Sequence, residues 1–134
     1  MGRVQLALNV ADLGKAITFY SKLFATEPAK IRPGYANFAI ADPPLKLVLM
    51  EGGEPGTLNH LGVEVESSAD VAAASARVSG EGLATEEQPG TTCCFAVQDK
   101  VWVTGPDNAW EYYTVLADAP LEASVCDAAS GCCA

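Results

Sequence analysis

Positive charge and histidine are both scarce in this 134-residue chain, and long apolar runs are absent. Lysine and arginine together number 8, against 17 aspartates and glutamates, and the net charge is −9 with no basic cluster. Nucleic acids and anionic membrane surfaces both require grouped positive charge, so we expect neither as a partner. No apolar run reaches the roughly 18 residues of a membrane-spanning helix.

The N-terminal sequence MGRVQLALNV lacks the apolar core and cleavage site of a secretory signal, and it lacks the serine or threonine of a myristoylation signal. The cysteines form a poor disulfide framework, because their number is odd and two pairs are adjacent. We therefore expect a cytoplasmic protein with reduced, working thiols. The five are Cys93, Cys94, Cys126, Cys132 and Cys133.

Two similar modules account for the first 117 residues. In the first, residues 4–10 alternate as a strand, Asp12 caps a helix, and residues 35–40 and 45–50 form strands. In the second, residues 58–65 form a strand, Ser67 or Ser68 caps a helix, and extended segments follow at 83–86, 93–97, 101–104 and 110–116. The predicted organisation is a module at 1–51, a linker at 52–57, a module at 58–117 and a flexible tail at 118–134.

This repeat predicts an α+β fold of two βαβββ modules in tandem, whose pairing makes a curved mixed sheet around a central trough. Overlaying the modules places Gln5 on His60 and Lys46 on Glu111, so these four side chains are expected to face that trough. Two arrangements satisfy the pattern: the modules pair within one chain, or they swap between the chains of a homodimer.

A lone histidine is more often a structural residue than a ligand. Here, however, His60 shares its strand face with Gly62 and Glu64, which is a small, polar face, and Gln5 has the same parity. Glu111 stands among aromatic residues, where it needs a cationic partner such as Lys46, or a metal ion. An amide, an imidazole and a carboxylate would leave open positions on an octahedral ion, although the usual iron site has two histidines.

The neighbouring thiols of Cys93 and Cys94 suit a soft ion such as trivalent arsenic, although they could also pack as small apolar residues. Successive side chains of a regular strand point to opposite faces, so the backbone must leave the pleat for both sulfurs to hold one atom. Pro89-Gly90 and Thr91-Thr92 favour a loop or strand end there, and such a loop could close over a ligand. The cysteines of the tail either handle thiophilic species or are dispensable.

Long segments of the chain resemble the vicinal-oxygen-chelate superfamily, which includes glyoxalases, bleomycin-resistance proteins and extradiol dioxygenases. The segments are RVQLALNV, ITFYSKLF, PGYANFAIADPPLKLVL, TLNHLGVEV, GTTCCFAVQDKVWVTGP and WEYYTVLAD. Within that superfamily they are most similar to the ArsI organoarsenical carbon–arsenic lyases and the cadmium-induced CadI proteins.

The resemblance implies a lyase that uses Fe(II) and dioxygen to convert trivalent organoarsenicals such as methylarsenite to arsenite, giving organoarsenical resistance. By position, the metal ligands and catalytic residues would be Gln5, His60 and Glu111, and Cys93 and Cys94 would bind the substrate. Lys46 occupies the place of a glyoxalase ligand, which disfavours glyoxalase activity. The alternatives are a non-catalytic protein that sequesters cadmium or arsenite through its thiols, and a metal-free antibiotic-binding module.

Overall fold

The computed structural model describes residues 2–93 and 95–118, which form two compact units. One unit is Arg3–His60, and the other begins at Leu61 and includes Gly2. Each unit follows the order strand, helix and three strands, with the strand at the division shared between them. The predicted α+β fold of tandem βαβββ modules is therefore confirmed. Cys94, Cys126, Cys132 and Cys133 lie outside the described residues.

The first unit has its helix packed on a four-stranded sheet of order β2-β3-β4-β1. Strand β1 is parallel to β4, and the β2-β3 and β3-β4 pairs are antiparallel. The buried core consists of Phe38, Ile40, Leu47 and Leu49, against which the partly buried side chains of the helix pack. The elements are β1 (Arg3–Val10), α1 (Leu13–Leu23), β2 (Lys30–Arg32), β3 (Tyr35–Ile40), β4 (Leu45–Glu51) and the first residues of β5 (Leu58–Glu64).

The second unit repeats this topology, with strand order β5-β8-β7-β6 and β5 parallel to β8. The turn predicted at residues 105–108 connects β7 to β8, and the Gly105 amide donates to the Asn108 carbonyl at 3.1 Å. The elements after β5 are α2 (Ser68–Gly80), β6 (Thr85–Cys93), β7 (Ala96–Thr104) and β8 (Ala109–Asp118).

Both helices begin at side-chain caps. The Asp12 carboxylate accepts from the Lys15 amide at 2.9 Å, which confirms the predicted cap of α1. Of the two serines considered for α2, Ser67 is the cap, since its hydroxyl accepts from the Asp70 amide at 3.2 Å. In the described part of the chain, neither helix is long and apolar enough to cross a membrane.

A tight turn and a bulge lie at two proline–glycine pairs of the chain. Pro33-Gly34 is the two-residue turn of a hairpin, because Arg32 pairs with Tyr35 and Gly34 has φ of 69°. Residues 89–92, expected at a loop or strand end, lie within β6, where the register shifts between Gln88 and Thr91. A bulge accommodates the proline, which has no amide hydrogen, and the left-handed Gly90. The segment is therefore paired with β7 on both sides of the bulge, and its closure over a ligand stays a prediction.

Candidate functional site

Gln5 and His60 meet on the buried, polar side of the first unit. Along β1, the alternate residues Gln5, Ala7 and Asn9 are buried, whereas the intervening apolar residues are only partly so. Gln5 is 5% exposed and His60 is 3% exposed, and the Nε2 atoms of the two side chains are 3.3 Å apart. The structure therefore brings together the two residues that the repeat had paired as equivalents.

The second ring nitrogen of His60 also has a partner. Nδ1 lies 2.8 Å from Oδ1 of Asn59, the preceding residue. An amide oxygen can only accept, so Nδ1 carries a hydrogen, and in the neutral ring Nε2 then has the lone pair. A neutral imidazole in this tautomer has its free electron pair on the nitrogen beside Gln5, which is the form in which histidine binds a metal ion.

Glu111 lies in the second unit, on β8, and it is paired with a lysine. Its Oε2 is 2.8 Å from Nζ of Lys100, and both side chains are almost completely buried. The ammonium group also lies over two aromatic rings, 5.3 Å from the Trp102 centroid and 5.9 Å from that of Tyr113. A cationic partner or a metal ion was predicted for Glu111, and within this unit Lys100 supplies the positive charge.

Strand register differs between the two modules by an even number of residues. Gln5 pairs with Lys46 across the parallel β1-β4 ladder, so the overlay predicts that His60 would pair with Glu111. Glu111 instead pairs with Gly62 across the β5-β8 ladder. A shift of two residues keeps every side chain on its original face, so the parity inferred from the repeat is preserved although the register is not.

Strand β6 ends at the first residue of the cysteine pair. Strand β6 ends at Cys93, which pairs with Ala96 at the start of β7, and Phe95 has a left-handed φ of 64°. Regular strand geometry, which would send successive side chains to opposite faces, therefore ends at Cys93. The side chain of Cys93 and all of Cys94 lie outside the described residues, so arsenic binding by these thiols stays a prediction.

The family model for the Glyoxalase/Bleomycin resistance protein/Dioxygenase superfamily matches residues 2–112. The chain belongs to this superfamily. The solved structure of homoprotocatechuate 2,3-dioxygenase from Arthrobacter globiformis agrees at the level of the fold, with a TM-score of 0.62 at 21% identity, covering 87% of this chain and 36% of that chain. The superfamily membership predicted from the sequence is confirmed.

Two kinds of relative share most of their length with the chain. Cadmium-induced protein CadI of Mycobacterium tuberculosis is 71% identical over 121 residues, which is 89% of this chain and 80% of CadI. A trivalent organoarsenical cleaving enzyme of Thermomonospora curvata is 63% identical over 136 residues, covering 99% of this chain and 89% of that enzyme. The chain is thus related both to a cadmium-induced protein and to an arsenical-cleaving enzyme.

The donor chemistry of the predicted ligands fits a divalent metal ion. Gln5 offers an amide oxygen, His60 an imidazole nitrogen whose lone pair is preserved, and Glu111 a carboxylate. Oxygen and imidazole donors suit Fe(II) and similar first-row ions. Within residues 2–93 and 95–118, no three or more histidine, cysteine, aspartate and glutamate residues cluster as a metal site, but the predicted set contains only two residues of those types.

Lys100 and Asn59 were not predicted from the sequence as partners of Glu111 and His60. For Lys100 a signal existed in the turn at residues 105–108. Counting back from that turn pairs Trp102 with Glu111, and Lys100, two residues earlier, then shares the face of Glu111. For Asn59 no comparable signal existed, since a residue beside a histidine normally faces away from it along a strand.

Proposed function

We propose that this protein is an Fe(II)- and O2-dependent carbon–arsenic lyase that converts trivalent organoarsenicals to arsenite. The main structural support is the buried Gln5–His60 pair, in which the imidazole presents a lone pair beside an amide. Glu111 would complete the ligand set from the second module. The similarity to the T. curvata enzyme supports the same substrate class.

The proposed site has two parts that differ in donor chemistry, with thiolates for arsenic and with oxygen and nitrogen donors for the metal ion. Cys93 and Cys94 would bind arsenic as a dithiolate, because trivalent arsenic prefers sulfur to oxygen or nitrogen. Gln5, His60 and Glu111 would hold the metal ion and keep the substrate side of it open. Fixing arsenic in this way positions its carbon substituent, which replaces a chance encounter with a near-intramolecular reaction.

The overall reaction balances without an external reductant. Methylarsenous acid and one molecule of dioxygen give arsenous acid and formaldehyde, so the methyl carbon is oxidised, dioxygen is reduced and arsenic stays trivalent. Bound Fe(II) would supply the activation of dioxygen that this exchange requires. The protein's own contribution is to bind both partners in a fixed geometry.

The test is incubation of the protein with methylarsenite and Fe(II) in air, followed by arsenic speciation and a formaldehyde assay. Arsenite and formaldehyde should form in equal amounts, and anaerobic or chelator-treated samples should form neither. If methylarsenite stays intact in air with iron-loaded, folded protein, the proposed activity is wrong. An aromatic arsenical in a parallel reaction tests the breadth of the substrate class.

A second candidate is non-catalytic sequestration of cadmium or arsenite through the thiols. The similarity to CadI favours it, because that protein is described by its induction by cadmium. A protein of this kind has no need of Gln5 or Glu111. Stoichiometric retention of Cd²⁺ or arsenite without turnover of any organoarsenical, unaffected by Gln5→Ala, would favour sequestration over cleavage.

A further inference from the structure

A continuous line of hydrogen bonds connects His60 to the segment that precedes β5. His60 Nδ1 contacts Asn59 Oδ1 at 2.8 Å, and Asn59 Nδ2 contacts Asn9 Oδ1 at 3.2 Å. Asn9 Nδ2 then contacts Thr57 Oγ1 at 3.0 Å, and Thr57 Oγ1 contacts the Glu54 carbonyl oxygen at 2.6 Å. All of these residues belong to the first unit.

The backbone carbonyl of Glu54, at the end of the line away from His60, determines which atom donates in every bond. A backbone carbonyl can only accept, so the Thr57 hydroxyl donates to Glu54 and uses a lone pair to accept from the Asn9 amide group. The Asn9 oxygen must then face Asn59, whose amide hydrogens donate to it. This leaves the Asn59 oxygen facing His60, so Nδ1 carries the ring hydrogen. At the opposite side of the ring, Nε2 can then accept from the side-chain amide of Gln5 at 3.3 Å.

Backbone contacts keep the line in place. The Asn9 amide donates to the Thr57 carbonyl at 2.9 Å, and the Gly56 amide donates to the Asn9 carbonyl, also at 2.9 Å. Gly53 packs so closely that a Cβ there would lie 3.0–3.1 Å from the side-chain amide of Asn9. The segment expected to be a linker is thus attached to the strand that carries Gln5.

We propose that Asn59 and Asn9 are positioning residues for His60. They hold the ring in the tautomer with hydrogen on Nδ1 and direct the Nε2 lone pair toward Gln5. Outer hydrogen bonds of this kind fix the orientation of a ligating histidine and raise its basicity. The link to metal binding rests on the proposed function, whereas the tautomer is a property of the metal-free protein.

Because His60 is the only histidine in the chain, nitrogen NMR of the metal-free protein reports the tautomer without ambiguity. Long-range proton–nitrogen correlations, recorded where the ring is neutral, should show hydrogen on Nδ1 in the wild-type protein. Asn59→Ala, which removes the acceptor, should increase the form with hydrogen on Nε2. Asn59→Asp, which retains an acceptor oxygen, should restore hydrogen on Nδ1. Asn37→Ala, at a buried asparagine on β3, is the matched control and should leave the ring unchanged.

Affinity for Co²⁺, used as a spectroscopic probe of the metal-binding residues, is the second measurement. Asn59→Ala should bind about 10- to 100-fold more weakly than wild type, and Asn59→Asp should recover most of the loss. Hydrogen on Nε2 in the wild-type protein would overturn the proposal even if every variant failed to fold. An Nδ1–H tautomer in a protein that cleaves no arsenical would retain the positioning role and reject the proposed function alone.

Discussion

The Lys100 ammonium lies 2.8 Å from the Glu111 carboxylate, with both groups almost completely removed from solvent. Desolvating two charges is costly, and their attraction in the protein interior offsets that cost only while both are present. Glu111 is also a predicted metal ligand. Lys100 therefore stabilises the negative charge of Glu111 on β8 in the metal-free protein.

Lys100→Met should destabilise the metal-free protein by about 3–5 kcal/mol, because the buried carboxylate of Glu111 loses the ammonium group beside it. Adding Co²⁺ should raise the melting temperature of this variant more than that of the wild type, since the ion replaces the missing positive charge. Thermal unfolding with and without the metal measures both effects. Lys15→Met, at an exposed site on α1, is the control.

The double variant Lys100→Met, Glu111→Leu isolates the charge effect from packing. Removing both charges together should recover most of the stability lost in Lys100→Met, because no uncompensated ion remains. It should also abolish the extra stabilisation by Co²⁺. A metal response that persisted in the double variant would place the ion away from Glu111.

Gln5→Ala should abolish carbon–arsenic cleavage while leaving arsenical binding unchanged. The loss in turnover should exceed the roughly 10- to 100-fold that removal of an outer-shell partner costs, because a direct ligand is lost. Gln5 is a better choice than Glu111 here, since truncating Glu111 also leaves Lys100 without the partner shown at 2.8 Å. Turnover is followed by arsenic speciation, and binding by the arsenic retained on the protein after gel filtration. Wild-type turnover in this variant would contradict the ligand assignment.

Cys93→Ser and Cys94→Ser should each remove most of the affinity for trivalent arsenicals, because chelation requires both sulfurs. The matched control replaces Cys126, Cys132 and Cys133 with serine and leaves the 93–94 pair intact. That control should bind one arsenical per chain as the wild type does, measured by titration with phenylarsine oxide. Arsenical binding that followed the last three cysteines instead would move the substrate site to the C-terminal tail.

The repeat in the sequence was enough to predict the module topology, because each strand face keeps its parity when the register shifts by two residues. It could not supply the register itself, since a shift of two residues leaves the same side chains on each face of the strand. The Pro89-Gly90 pair favoured a loop or a strand end, yet β7 pairs with β6 on either side and retains it as a bulge. Asn59 was missed as a partner of His60 because neighbouring residues of a strand normally face opposite sides. Lys100 was missed because its place beside Glu111 emerges only when the β7-β8 register is counted back from the turn at residues 105–108.

Stability below neutral pH should depend on Asp99, which joins α2 to the bulge of β6. Its carboxylate accepts from the Ser68 hydroxyl and, at 2.7 Å, from the Gly90 amide. These bonds, the Ser68 bond above all, hold the pKa of Asp99 below its ordinary value of 3.8, and burial opposes them weakly. The stabilisation by ionised Asp99 is fully present above pH 3.8, the ordinary pKa of the group. It is lost as the pH falls through the lower pKa of the folded state.

Asp99→Asn should therefore lower the urea midpoint at neutral pH, and its difference from wild type should shrink as the pH falls below 3.8. Asp107→Asn, in the exposed turn before β8, is the comparison. Hydrogen exchange at Gly90, corrected for the intrinsic rate at each pH, should rise in acid in the wild type. A gap between variant and wild type that stayed constant into acid would show that the charge of Asp99 does not stabilise the bulge.

Alanine variants at Gly53 and Gly56 distinguish the cost of backbone strain from the cost of crowding the Asn9 side chain. Both have positive φ, 65° and 82°, so alanine at either position costs roughly 1–2 kcal/mol. A Cβ at Gly56 would meet nothing within 4 Å, whereas one at Gly53 would press on the Asn9 amide. Gly53→Ala should therefore lose more stability in urea unfolding than Gly56→Ala. It should also increase the His60 tautomer with hydrogen on Nε2, while Gly56→Ala leaves the ring as in wild type. Equal losses and an unchanged ring in both variants would show that the segment before β5 does not act on His60 through Asn9.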